Sequence, residues 1–291
     1  MSWRYVVISS RSKLDLRYDN LIIRTEDKVM NINISEISTL VLESTAISLT
    51  VALLSKLIDK KVKVVFCDNK RDPISELIPY YGRYDSSLKI KKQIIWNKNI
   101  KAKVWQEIIR DKIQKQAINL IKNGKPNFDL LLKYAEEVKI NDKTNREGHA
   151  AKVYFNSLYG NDFCRDNENA TNSALNYGYK IILSFFNREL SSLGYLTQLG
   201  IFHSNQFNHF NLSSDLMEPF RVLVDDLVYR ESFKSFGTNE KRIIQKLHER
   251  KLTIDGKKQF LPNSIQIYTK SVINAIESDD INKIRFFEYE L

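Results

Sequence analysis

Pro79-Tyr80-Tyr81-Gly82-Arg83-Tyr84 marks the point where the periodicity of this chain changes. Upstream, apolar residues fall in short β-branched runs at 5–8, 14–16, 21–24 and 29–34, divided by Asp19-Asn20 and Glu26-Asp27, with a further run at 40–42. Runs of that length bounded by turn residues predict strands. Residues 50–57 depart from the pattern. Val51, Leu54, Leu57 and Ile58 recur at helical spacing and predict one short helix, followed by a strand over 63–67. Downstream the spacing is helical almost throughout: 88–121 as one long helix or two in sequence, then 128–138, 145–158, 174–193, 216–231, 240–250 and 263–277. Gly160 and Gly194 fall where helix C-caps belong. The chain therefore reads as α+β. A small, mostly β, sandwich-like domain with one short helix occupies 1–78, and Pro73 and Pro79 announce a linker over 79–87. A larger all-helical domain fills 88–291. The first domain holds no catalytic constellation, so its expected roles are packing and self-association, and any chemistry is assigned to the second.

At 291 residues with 43% hydrophobic content, a sizeable core is available. The net charge of +10 suggests a polyanionic partner. Eleven basic residues against two acidic ones lie between Ser86 and Lys125, which accounts for nearly the whole excess. Lys89, Lys91, Lys92, Lys101 and Lys103 lie in that segment, with Trp96 and Trp105 interleaved. Such a face is either simply solvated or a track for a DNA backbone. The one-sided balance favours the track, since its self-repulsion needs an external anion. Lysines on phosphates predict salt-sensitive binding with little base specificity. A second basic group, Lys241, Arg242, Lys246, Arg250, Lys251, Lys257 and Lys258, extends the same expectation. Two cysteines are too few for a disulfide framework, and Cys67 ends an apolar run as a buried thiol would. The N-terminal apolar stretch is too short for a signal peptide, and no run approaches the ~20 residues that span a bilayer. A cytoplasmic protein with no membrane partner is expected. Walker loops, Gly-x-Gly-x-x-Gly, Cys-x-x-Cys, His-Glu-x-x-His and Gly-x-Ser-x-Gly are all missing from the sequence.

Against that background Glu147, His203 and Glu218, with Asp215 nearby, are the donors an open Mg²⁺ or Mn²⁺ site can use in phosphodiester chemistry. Each has a structural alternative. Thr144-Asn145-Arg146-Glu147 has the form of a capping box, yet Glu147 also begins the stripe Ala150, Ala151, Tyr154, Leu158. His203 follows Leu199-Gly200-Ile201-Phe202, and a lone histidine is more often a hydrogen-bonded structural residue than a ligand; His209 is the rival ligand. Asp215 and Glu218, three apart, read either as an N-cap with a helpful Glu or as two like charges that need a cation. Pro219 predicts a distorted helix start. Arg221 pairs with Asp225 or holds a phosphate. Arg146 and Lys152 flank Glu147 as further candidates for DNA contact.

Taken in order, five stretches resemble the CRISPR-associated integrase, the DNA-integrating subunit of the spacer-acquisition machinery, and its type II branch in particular. They are Trp3-Arg4; Arg146-Glu147-Gly148-His149-Ala150-Ala151; Leu175-Asn176-Tyr177-Gly178-Tyr179; Leu199-Gly200-Ile201-Phe202-His203; and Ser214-Asp215-Leu216-Met217-Glu218-Pro219-Phe220-Arg221. The resemblance covers nearly the whole chain and departs mainly in the polar surroundings of His203, with Gln206 in the following loop. It implies that Glu147, His203 and Glu218 ligate a divalent metal, Mg²⁺ or Mn²⁺, with Asp215 in support. Asn176, Tyr177, Tyr179 and Tyr154 are then candidates for the site wall. It also implies a homodimer formed through the β domain and a small ferredoxin-like bridging subunit between two such dimers. The Cas9 effector and a ring-shaped DNA-end-binding protein would be further partners. The implied activity joins 3′-hydroxyl ends of captured double-stranded DNA into CRISPR repeat DNA. Two other readings stand beside it: a general metal-dependent endonuclease acting on branched DNA, and a non-catalytic DNA-binding scaffold.

Overall fold

The computed structural model describes residues 4–69, 71, 73–77 and 85–290. The chain divides into two compact units, 1–82 and 83–291. Of the linker expected over 79–87, residues 79–84 lie outside the described residues, as does Trp3; Ser86 already belongs to a helix.

The N-terminal unit contains β1 (Arg4–Ile8), β2 (Ser12–Arg17), β3 (Asn20–Arg24), β4 (Val29–Asn33), β5 (Ile37–Leu42), β6 (Ile47–Leu49), α1 (Val51–Asp59), β7 (Lys63–Cys67) and β8 (Pro73–Leu77). They form two four-stranded sheets, ordered β1-β5-β7-β8 and β4-β3-β2-β6. Leu14, Leu21, Ile23, Leu40, Leu42 and Val64 from both sheets pack with Leu53 and Leu57 of α1 into one core. That arrangement is the expected sandwich-like domain. β5 is buried on both faces, because Val41 joins Val65 and Cys67 in a second cluster while Leu40 and Leu42 enter the main one. Thr50 caps α1, its hydroxyl accepting from the Leu53 amide at 3.3 Å. Two strands escaped the sequence reading. β6 is three residues long, and Pro73, read as the approach to a linker, opens the edge strand β8. A proline is tolerated there, at the first residue of an edge strand.

The second unit contains α2 (Ser86–Ile94), α3 (Lys98–Lys122), α4 (Phe128–Glu136), α5 (Arg146–Tyr159), α6 (Ala170–Leu193), α7 (Asn211–Met217), α8 (Arg221–Glu231), α9 (Thr238–Gln245) and α10 (Leu261–Glu277). Of the two alternatives for 88–121, one long helix or two in sequence, the second holds: the break falls before Asn97, whose side chain accepts from the Asn99 amide at 2.8 Å. The domain is not all-helical. β9 (Lys251–Ile254) pairs antiparallel with β10 (Lys257–Phe260) and with β11 (Phe287–Glu288). Asp255 and Gly256 both carry positive φ, 53° and 69°, as a tight two-residue hairpin requires. The Asp-Gly signal was present in the sequence, hidden inside a charged segment.

The basic segment is divided between interior and surface. α3 is the hub of this unit and packs against α4, α5, α8 and α10. Trp105, Ile108, Ile109, Lys112, Ile113, Lys115 and Gln116 are buried along it. Lys115 pairs with Asp111 in the interior and lies over the Phe287 ring at 4.1 Å. Lys122 and Lys125 lie over Tyr289 and Tyr229, and Lys89 and Lys92 approach Glu277 at 3.7 and 4.0 Å. Much of the apparent repulsion is therefore offset inside the unit. Lys91, Lys103 and Lys152 are exposed.

Candidate metal centre

Three elements meet at one ammonium. Glu147 leaves the first turn of α5, and Glu218 opens a 3₁₀ turn, Glu218–Phe220, between α7 and α8. Lys112 reaches both from the middle of α3, its Nζ 2.6 Å from Glu147 Oε1 and 2.5 Å from Glu218 Oε2. Arg221 Nε donates to the remaining Glu218 oxygen, Oε1, at 2.9 Å. The Glu218 side chain is 4% exposed and that of Glu147 26%, so the site has a buried back and an open front. Burial opposes the charge on Glu218, but Arg221 and Lys112 outweigh it and lower the carboxyl to about 2. Burial likewise opposes the charge on Lys112; Glu147 and Glu218 reverse this and hold its pKa above the ordinary value.

Neither capping alternative describes these acids. The α5 N-cap is Asn145, in the left-handed region, and Asp142 caps the helix instead. Its Oδ1 accepts from the Arg146 amide at 2.8 Å and its Oδ2 from the Glu147 amide at 3.0 Å. Glu147 is therefore spared the capping task and faces Lys112, while Ala150, Tyr154 and Leu158 of its stripe are buried. Asp215 lies inside α7 rather than at its N-cap, and its fully buried carboxylate reaches back to the preceding loop. Asp215 Oδ2 accepts from the amides of Ile201 at 2.6 Å and Phe202 at 3.0 Å; Oδ1 accepts from His203 N at 3.1 Å. His203 Nδ1 lies 2.5 Å from the same Oδ1. The two like charges separate because each has its own cationic or amide partners.

The consequence for His203 is a fixed tautomer. A carboxylate on Nδ1 leaves the Nε2 lone pair as the one a metal could use, an arrangement that commonly supports a metal-bound imidazole. The bond to Asp215 raises the His203 pKa; burial opposes it, and the charges of Glu218 and Glu147 add to it. Trp105 stacks on Phe202 with centroids 4.5 Å apart and meets the imidazole edge-on at 5.6 Å. Gln93 of α2 donates to the carbonyls of Leu196 and Leu199, and Asn211 donates to those of Gln198 and Asn205. The polar run around His203 is thus partly a set of loop staples. A Cβ on Gly200 would meet His203 O at 2.3 Å and Asp215 Oδ2 at 2.7 Å. Gly200→Ala is accordingly expected to cost about 1–3 kcal/mol of stability through overpacking. It should also displace the His203 imidazole; an unshifted imidazole resonance in NMR would contradict this.

The donor set suits a hard divalent ion in its chemistry, two carboxylates and an oriented imidazole. Glu147 and Glu218 face a single cation, the Lys112 ammonium. The imidazole does not join them in a finished cage: among the described residues no three His, Cys, Asp or Glu side chains are gathered for a metal. The family model described as "CRISPR associated protein Cas1" matches residues 5–264. The chain belongs to the Cas1 family. A CRISPR-associated endonuclease Cas1 from Neisseria meningitidis serogroup C is 35% identical over 230 residues, 77% of this chain and 74% of that one. The type II-like reading fits this relative. A casposase bound to integration product shares the fold at TM-score 0.77 and 18% identity, over 98% of this chain and 94% of that one. A Cas6-RT-Cas1–Cas2 complex contains a chain that superposes at TM-score 0.75 with 17% identity. The match covers 100% of this chain and 37% of that one.

Within this Cas1-family site the other expected residues divide. Tyr179 stands beside it, under the Arg221 guanidinium at 4.7 Å, with its hydroxyl on Asp225. Asn176 is exposed and accepts from Arg165 at 2.7 Å. Tyr154 and Tyr177 are not wall residues. Tyr154 is buried and accepts from Asn119 at 2.6 Å, and Tyr177 accepts from Gln245 at 2.9 Å. Arg221 is committed to Glu218 rather than to Asp225. Arg146 pairs with Glu137 at 2.7 Å and covers the Tyr134 ring. A cleft of ≈ 410 Å³ opens beside His203, lined by Lys101, Phe202, Asn205, Asn208 and His209. Burial lowers the pKa of Lys101 there. His209 is exposed on that cleft, apart from the two glutamates. Lys112 was missed as a site residue. Its signal was a lysine placed on the stripe Trp105, Ile108, Ile109, Gln116, where an apolar residue is expected.

Asp225 was also missed. Burial pushes its carboxyl up to about 6, against the Tyr179 hydroxyl and Arg221. A folded value above the unfolded one means stability is fully present below about pH 4 and lost as pH rises through 6, about 3 kcal/mol in all. Glu218 acts in the opposite direction: its contribution is present above its unfolded value and lost as pH falls toward 2. Asp225→Asn is expected to flatten the decline in stability between pH 4 and pH 7. Urea unfolding at both pH values measures it, and an unchanged slope contradicts it.

Proposed function

We propose that this chain is the strand-joining subunit of CRISPR adaptation, a metal-dependent integrase that carries 3′-hydroxyl ends of captured duplex DNA into the CRISPR repeat. The observation that carries this reading is the meeting of Glu147 and Glu218 on one cation, beside an imidazole whose Nδ1 is taken by Asp215. Glu147, Glu218 and His203 Nε2 would hold Mg²⁺ or Mn²⁺, which when bound polarises the scissile phosphate and offsets the charge of the pentavalent transition state. The chain's own residues do the rest. Asp215 orients the imidazole, Arg221 keeps Glu218 ionised, and Trp105 with Phe202 fixes the loop that carries His203. Exposed Lys91, Lys103 and Lys152, with Lys101 in the cleft, would attract the DNA backbone in a salt-dependent way.

In the reaction one P–O bond forms from the attacking 3′-oxygen as another breaks at the repeat edge. The proton of the attacking hydroxyl passes to the released 3′-oxygen, and because one phosphodiester replaces another no external energy source is needed. With water as nucleophile the same centre would be an endonuclease, the word that the Neisseria relative's name carries. A homodimer formed through the β unit, a small ferredoxin-like bridging subunit, the Cas9 effector and a ring-shaped DNA-end-binding protein complete the proposed assembly. For DNA and a bridging partner, support comes from a structural neighbour described as a Cas6-RT-Cas1–Cas2 complex and another bound to integration product.

The test incubates the protein, its bridging subunit and Mn²⁺ or Mg²⁺ with short duplexes bearing free 3′-hydroxyls and a supercoiled repeat-bearing plasmid. Half-site joined product, lost in Glu147→Ala, is expected. Cleavage without joining would instead make the protein a nuclease, and no chemistry from either protein would make it a scaffold.

A further inference from the structure

Lys112 holds an oxygen from each of the two glutamates assigned above to a divalent ion. Glu218 has no idle oxygen, because Oε1 accepts from Arg221 and Oε2 from Lys112. Arg221 is the fixed partner of the two, with its guanidinium also spread over the Tyr179 ring at 4.7 Å. Lys112 is the movable one, a compact ammonium on a flexible four-carbon stem. Its other partner, Glu147, lies on the open side of the site, where a DNA phosphate would arrive.

We propose that Lys112 is a built-in competitor of the metal, leaving Glu147 and Glu218 when the ion enters and taking a DNA phosphate as its new partner. The inference rests on the metal reading of Glu147, His203 and Glu218. Two cations cannot share the same two carboxylate oxygens without strong repulsion, so the ion must displace the ammonium. A displaced ammonium beside a buried site has lost its partners, which opposes metal entry into the protein alone. A phosphate restores a partner and removes the opposition. DNA and metal therefore bind cooperatively through this side chain, each raising the other's affinity by the same factor. Without DNA the centre loads weakly, which holds back cleavage by water.

Free Mn²⁺ is measured by electron paramagnetic resonance while the full chain is titrated, with and without a short duplex carrying 3′-hydroxyl ends. The duplex is expected to raise the wild-type affinity by roughly ten-fold, within the usual range of site-to-site coupling. Lys112→Met is expected to bind Mn²⁺ about ten-fold more tightly than wild type without DNA, and to gain little when the duplex is added. If Lys112→Met keeps the wild-type affinity, or the wild-type gain with DNA, the coupling runs through phosphate on the ion and the proposal is overturned. Because that variant leaves two carboxylates facing each other, a second measurement uses the unaltered protein. Brief reductive methylation, read by mass spectrometry at Lys112, should increase on adding Mn²⁺ and decrease again when the duplex follows. Labelling indifferent to Mn²⁺ overturns the proposal. Mn²⁺ binding that is unchanged in Glu147→Gln marks a different failure, that of the metal reading itself, and removes the proposal with it.

Discussion

Glu218→Ala is expected to abolish strand joining and to destabilise the helical unit by about 3–5 kcal/mol, the usual cost of removing one partner from a buried ion pair. The variant leaves Arg221 without its carboxylate in a buried site and Lys112 with Glu147 alone. Glu147→Ala should abolish joining equally but destabilise less. Its side chain is 26% exposed, and Lys112 retains Glu218 as a partner. The pair is part-buried, so its loss should fall between the ~1 kcal/mol of an exposed pair and the ~3 kcal/mol of a buried one. The two variants thus separate catalysis from folding at a site where both acids serve the same proposed ligand. Urea unfolding of the helical unit together with the joining assay provides the comparison. Equal destabilisation by the two would show that Glu218 is not the buried anchor described here.

Asp215→Ala is expected to be comparably damaging for a different reason. Three backbone amides, of Ile201, Phe202 and His203, lose their acceptor at once. Each orphaned buried donor costs about 1–3 kcal/mol, so a loss on the order of 4 kcal/mol follows. The imidazole loses the partner that sets its tautomer, and weakening of metal affinity by about 10–100-fold is the usual consequence. Asp215→Asn isolates the electrostatic part. Asp215 raises the His203 pKa, and a protonated imidazole cannot ligate. In the wild type, metal loading should therefore fail as pH drops through that raised value. In Asp215→Asn the acid limb should move to lower pH, because the imidazole gives up its proton more readily. A pH series of Mn²⁺ binding measures the limb; a shift toward higher pH would contradict the assignment.

The two-part architecture was legible because it depends on local periodicity. Alternating β-branched runs and helical spacing act over a few residues, and Gly160 and Gly194 closed α5 and α6 where left-handed backbone was needed. The strands that escaped were short or lay at an edge, such as β6 and β8, or were formed by distant pairing, such as β9 with β11. Pairing across the chain leaves no mark in a window of ten residues. The candidate acids were legible as residue types. Their roles were not, because Thr144-x-x-Glu147 and Asp215-x-x-Glu218 satisfy a capping pattern as well as a ligand pattern.

By itself the sequence determined most of the helical and strand segments, the family, and the short set of side chains proposed to hold a divalent ion. These follow from residue chemistry and spacing along one strand or helix. Tertiary structure alone decided what each charge faces. It sank Lys112 and Lys115 of the basic segment into the core along α3, placed Lys112 between two acids far apart in the chain, and gave Asp142 the capping task that Glu147 had been offered. The reason is physical. A charge buried in a packed interior is stable only with a partner, and that partner is chosen by how helices cross, not by which residues are neighbours in sequence.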